Sequence, residues 1–217
     1  VPRAARRGAA PAQCRPMSTI VFSHGNSFPA STYRVMLDSL RARGFEVHAI
    51  EKYGHDPKYP VTDNWPHLVR QLAQFATQRS KDDHGGAPWL VGHSLGGLLS
   101  LMCAARHPEL ARGVVMIDSP VLSGWRAGAV RVVKRTPLMR RLSPSSVARR
   151  RRKEWDDRQA VYEHFRAKKV FAAWDPRVLR DYVDHGTLDA DGSWRLAFDP
   201  AVESRIYETV PHNLGPL

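Results

Sequence analysis

The chain has 217 residues, 33 Lys and Arg against 21 Asp and Glu, and a formal net charge of +12. Hydrophobic residues at 42% and six Trp exclude wholesale disorder, and the length suffices for one sizeable core. No apolar run reaches the roughly 18–20 residues that cross a bilayer. Cys14 and Cys103 lie far apart with no metal or redox spacing, which argues against a disulfide-stapled scaffold and for a reducing, cytoplasmic setting.

The charge is unevenly placed. Four Arg and no acid fall in residues 1–16, and eleven basic residues with no acid run from Ser119 to Lys153. The rest holds 18 basic residues against all 21 acids, so the body of the protein is mildly acidic. A nucleic-acid reading would have to rest on those two segments alone.

Residues 1–17 read as a basic, disordered tail without the apolar stretch of a secretory signal. From Ser18 the pattern is strand, turn, helix, repeated. Ser18–Ser23 is a short apolar run ending at His24-Gly25. Thr32–Arg43 places Tyr33, Met36, Leu37 and Leu40 at helical spacing, with Gly44 as the stop. Phe45–Ile50 alternates like a strand, and after a Pro/Tyr/Asp loop Trp65–Gln78 repeats apolar residues as a helix does. Pro88–Val91 is the next strand, Leu98–Arg106 a helix ending before Pro108, and Gly113–Ile117 a fully apolar strand. Buried runs alternating with helices predict an α/β fold with a parallel sheet flanked by helices.

After Pro120 the regularity ends. Trp125–Phe165 breaks into basic amphipathic pieces, with one helix expected from Ser145 to about Arg166 carrying Val147, Trp155, Tyr162 and Phe165 on one side. Asp189-Ala190-Asp191-Gly192 reads as a hairpin turn between Leu188 and Trp194–Phe198. Asp199-Pro200 reads as an N-cap followed by Pro at the first helical position, opening a helix to about Thr209.

The strongest chemical signal is Gly92-His93-Ser94-Leu95-Gly96-Gly97, between a strand and a helix. A serine forced onto such a tight turn projects its hydroxyl above the sheet, beside the positive end of the helix, and Gly92 and Gly96 remove side chains that would collide. The second signal, Ser23-His24-Gly25-Asn26-Ser27, leaves the first strand in a tight turn. It can present the amide of Asn26 to a developing oxyanion, with the amide of Leu95 as second donor.

These residues, with His107-Pro108-Glu109 and the strand Gly113–Asp118, resemble the α/β-hydrolase superfamily in its cap-bearing esterase/lipase-like branch. The resemblance covers residues 18–120 well and 121–210 as a generic cap inserted in the core. It implies Ser94 as nucleophile, an oxyanion hole from Asn26 and Leu95, no metal and no organic cofactor, and a small-molecule acyl substrate. It also implies the order serine, acid, histidine. Asp118, at the end of its strand, is the candidate acid. His212 lies in the right order but at the exit of the cap; His185 sits beside Asp184 within it; His93 and His24 belong to the turns. No complete triad is identified. Residues 211–217 read as the start of a C-terminal core segment whose remaining strands and histidine are absent.

The run Arg149–Lys153 reads as a solvated face followed by the acids Glu154, Asp156 and Asp157, with weak contact to an anionic surface as the sharper alternative. No Walker loop, HExxH or dinucleotide fingerprint occurs, and no nucleic-acid partner is expected. The sequence therefore predicts a serine hydrolase acting on an ester or related acyl bond. The competing reading is an inactive hydrolase-like fragment or binding protein.

Overall fold

A computed structural model describes residues 17–82, 86–120, 144–211 and 214. Four strands, β1 (Met17–Ser23), β2 (Phe45–Ala49), β3 (Trp89–His93) and β4 (Gly113–Ile117), form a parallel sheet in the order β2-β1-β3-β4. The crossovers carry α1 (Arg34–Arg41), α2 (Pro66–Asp82) and α3 (Leu95–Arg106). β1 and β3 lie at the centre, and Val21, Phe22 and Leu90 on them are fully buried. Two apolar clusters cover the sheet: Leu68, Leu72, Leu99 and Met102 belong to one, and Phe22, Leu37 and Val47 to the other. A sheet covered on both faces is what nearly continuous apolar strands require.

Among the described residues β4 pairs on one side only, and Val115 and Ile117 on it are 44% and 36% exposed.

The remaining elements form a layer over one end of the sheet. They are α4 (Pro144–Arg150), β5 (Glu154–Trp155), α5 (Arg158–Arg166), α6 (Lys169–Ala172), α7 (Pro176–Gly186), β6 (Thr187–Ala190), β7 (Ser193–Leu196) and α8 (Pro200–Glu208). Its own core holds Trp155, Val161, Phe165, Leu179 and Tyr182. The hairpin β6–β7 turns at Asp191 and Gly192, with φ of 52° and 90°. Both angles lie in the left-handed region that a two-residue turn of this hand demands. Asp199 caps α8, its Oδ1 accepting from the Ala201 amide at 2.7 Å.

One expected element is not formed. The helix read from Ser145 to Arg166 is three pieces: α4, the short strand β5 and α5. Asp157 starts the last piece, its Oδ1 accepting from the Ala160 amide at 2.7 Å. Trp155 pairs with Trp194 on β7 instead of lying on a helix face. Four consecutive arginines and a lysine oppose an uninterrupted helix through repulsion at i, i+3 and i, i+4. Two further differences are small: α3 begins at Leu95, before Gly96-Gly97, and a 3-10 turn at Ala30–Tyr33 precedes α1. The segment from Trp125 to Ser143 lies outside the described residues, as does His212.

Candidate active site

The site is built where β1 and β3 end side by side, with Ser23 in register with Gly92. Beyond β3 the chain turns sharply into α3 at Ser94, whose φ and ψ are 51° and −112°. A non-glycine residue held there costs of order 1–3 kcal/mol and persists only where its surroundings impose it. The Ser94 amide donates to Ile117 O at 2.9 Å, tying the turn to the end of β4. Ser94 O accepts from the Gly97 and Leu98 amides at 3.2 and 3.3 Å.

The glycines are required by contact. A Cβ on Gly96 would stand 2.0 Å from Ser23 O, and one on Gly92 would stand 2.1 Å from the carbonyl carbon of Gly96. A Cβ on Gly97 would meet Ser119 Oγ at 2.0 Å. The start of α3 therefore packs directly on the His24–Ser27 turn. The Leu95 amide is an unused donor of the first helical turn, and neither it nor the Asn26 amide hydrogen-bonds to another described residue.

His24 shapes that second turn. Its ring is fully buried; Nδ1 donates to Gly25 O at 2.8 Å and Nε2 accepts from the Tyr53 amide at 2.9 Å. These partners fix a neutral ring, and burial pushes its pKa down to about 4. Ser27 takes φ 76°, and the Phe28 amide donates to Gly25 O at 3.2 Å, closing the turn. The long loop after β2 thus does more than connect. It brings Tyr53 under His24, while Lys52 Nζ donates to Ala197 O and His55 Nε2 accepts from the Asp199 amide, both at 3.0 Å.

The candidate acid Asp118 stands at the end of β4, exposed, with φ 44°. It lies near enough to His93 to oppose electrostatically the lowering of that ring's pKa by burial. His93 Nδ1 is engaged by the Tyr33 hydroxyl at 2.7 Å, and the same hydroxyl accepts from the Gly25 amide at 3.0 Å. Among the described residues no histidine hydrogen-bonds to Ser94. The structure thus brings together Ser94, Leu95 and the Asn26 turn, places Asp118 at the neighbouring strand end, and leaves His185 at the far end of α7 in a cleft with Arg34 and Glu51.

A mainly apolar cleft of about 160 Å³ lies beside His93, lined by Phe28, Tyr33, Met36, Trp174 and Val178. Phe28 packs against Trp174 and Tyr182 at centroid distances of 5.8 and 5.4 Å, so the layer above the sheet supplies one wall. Most of the basic run is locally engaged. Arg149 meets Ser204 and Glu208, Arg151 pairs with Glu203, and Arg152 donates to Glu154 O, while Arg150 and Lys153 are exposed. Among the described residues there is no cluster of metal-ligating side chains and no helix long and apolar enough to cross a membrane.

A parallel sheet with a strained serine between strand and helix, facing a glycine turn from the adjacent strand, defines an α/β-hydrolase. Residues 20–214 match the model of the alpha/beta hydrolase family, and the chain belongs to that family. It is 26% identical over 133 residues to a monoglyceride lipase of Rattus norvegicus, covering 60% of this chain and 44% of that protein. It is 30% identical over 107 residues to a pyrethroid hydrolase of Sphingobium wenxiniae, covering 48% and 36%. The peroxisomal alpha-beta-hydrolase Lpx1 of Saccharomyces cerevisiae shares the fold, with a TM-score of 0.70 at 18% identity over 96% of this chain and 60% of that one. The chain spans less than two thirds of the length of each of these relatives.

Proposed function

We propose that the protein is a cap-bearing serine hydrolase of esterase or lipase type, cleaving a carboxylic ester or related acyl bond through an acyl-enzyme on Ser94. The observation that carries this reading is the Ser94 backbone, held at φ 51° between β3 and α3 by its amide bond to Ile117 O. In the proposed reaction Ser94 Oγ attacks the substrate carbonyl, and the amides of Asn26 and Leu95 receive the negative charge that develops on its oxygen. Each such donor contributes roughly 2.7–4 kcal/mol to the barrier reduction. The Oγ proton must pass to a base, and the alcohol then leaves; Asp118 is the proposed acid that would orient that base. The cleft beside His93 supports an apolar group on the substrate. The likeness to a monoglyceride lipase and a pyrethroid hydrolase supports an ester as the bond attacked.

A second reading is a ligand-binding member of the family that does not cleave its ligand. Triad members act as a unit, so a serine without its base keeps little rate enhancement. A fluorophosphonate probe separates the two. Labelling that Ser94→Ala abolishes supports the hydrolase; folded protein that never labels supports the binding protein.

A further inference from the structure

Beneath the layer that covers the sheet, a carboxylate and a guanidinium are buried against the candidate oxyanion turn. Glu203 on α8 and Arg151, just beyond α4, pair at 2.8 Å with side chains only 7% and 17% exposed. The pair reaches the turn in two ways. Asn26 Nδ2 donates to the main-chain oxygen of Glu203 at 3.1 Å. Ser27, buried in the same turn at φ 76°, favours the charged form of the Glu203 carboxylate.

The simpler account is that the pair joins α4 to α8. Arg149 already does that at the surface, through Ser204 Oγ at 2.8 Å and the Glu208 carboxylate. A buried ion pair is also poor stabilising material, because desolvation offsets most of the Coulomb attraction. Its position on a strained turn that must hold one amide in a fixed direction gives it a different use. We propose that Arg151 and Glu203 are positioning residues that latch the Asn26–Ser27 turn from above, making the oxyanion donor dependent on the seating of α4 and α8. The inference rests on the hydrolase reading of Ser94 for its catalytic consequence, while the latch itself is a statement about the turn.

Glu203 is the centre of the latch. Its main-chain oxygen accepts from the Asn26 side chain, and its carboxylate pairs with Arg151. Burial pushes the Glu203 pKa up, and Arg151 and Ser27 oppose that shift by favouring the charged form. Loss of Arg151 would therefore leave the Glu203 carboxylate buried without its ion-pair partner, directly behind the Asn26 turn.

The test uses the full chain. The double variant Arg151→Met/Glu203→Met removes both charges at similar volume, a change that buried ion pairs often tolerate. Its unfolding midpoint should stay near the parent's. Hydrogen exchange of the backbone over residues 23–28 should accelerate about tenfold, with the α2 and α3 amides unchanged, and fluorophosphonate labelling of Ser94 should slow about tenfold. Ser27→Ala deletes one hydroxyl and should show the same pattern more weakly, which keeps the inference testable if the double variant does not fold. Parental exchange over residues 23–28 in folded variants overturns the latch. A parent whose Ser94 never labels overturns the hydrolase reading instead, and exchange alone then decides the latch.

Discussion

Mild acid should destabilise the fold through His24. Its folded pKa is about 4, against about 6.5 in the unfolded chain. The folded state therefore binds fewer protons between those values, and stability falls as pH drops from about 6.5 toward 4. The shift corresponds to about 3 kcal/mol in full, of which about 2 kcal/mol is lost by pH 5. His55 and His93 are shifted the same way by burial and add to the trend. His24→Gln isolates the one residue. The Gln amide oxygen can still accept from the Tyr53 amide, whereas the donation to Gly25 O is lost, for a loss of about 1 kcal/mol at pH 7.5. Urea unfolding followed by Trp fluorescence at pH 7.5 and 5.0 should show the parent losing about 2 kcal/mol more than the variant over that interval. Equal losses in the two proteins would refute the assignment of a neutral, doubly bonded His24.

Gly96→Ala drives a methyl group to 2.0 Å from Ser23 O; it should lower stability by about 1–3 kcal/mol or more and displace the Asn26 turn, read as a drop in unfolding midpoint together with slower Ser94 labelling. Val115→Lys with Ile117→Thr places polar groups on the exposed positions of β4; aggregation followed by light scattering on warming should fall, and unchanged scattering would show that another surface nucleates it.

The local signals were readable because short-range chemistry imposes them. β4 spans the residues its apolar run predicts, Asp199 caps α8 beside Pro200, and Asp191-Gly192 turns the hairpin, since each rests on a neighbour's backbone or on one conformational preference. The strand–serine–helix turn at Ser94 is legible for the same reason: few residue types tolerate its geometry. α3 starts three residues before its sequence pattern predicts, at glycines that are usually breakers. Gly96 and Gly97 are helical here with β1 and Ser119 packed too close to admit a side chain, and those neighbours are distant in the chain.

The failed helix over residues 145–166 shows where periodicity stops being informative. Val147, Trp155, Tyr162 and Phe165 share a face only if the backbone between them is helical, and nothing local distinguishes that from a buried strand residue. Trp155 is placed by Trp194, and the sequence around Trp155 cannot contain that information. The same holds for the candidate site. Ser94 and Asn26 could be proposed from their own turns, whereas the roles of His24, Tyr53, Arg151 and Glu203 depend on contacts made only after the sheet has formed and α8 has folded back on it. Asn26 and Glu203 lie 177 positions apart. A polar group buried at such a distance is recognisable only through its partner, and a local motif does not contain that partner.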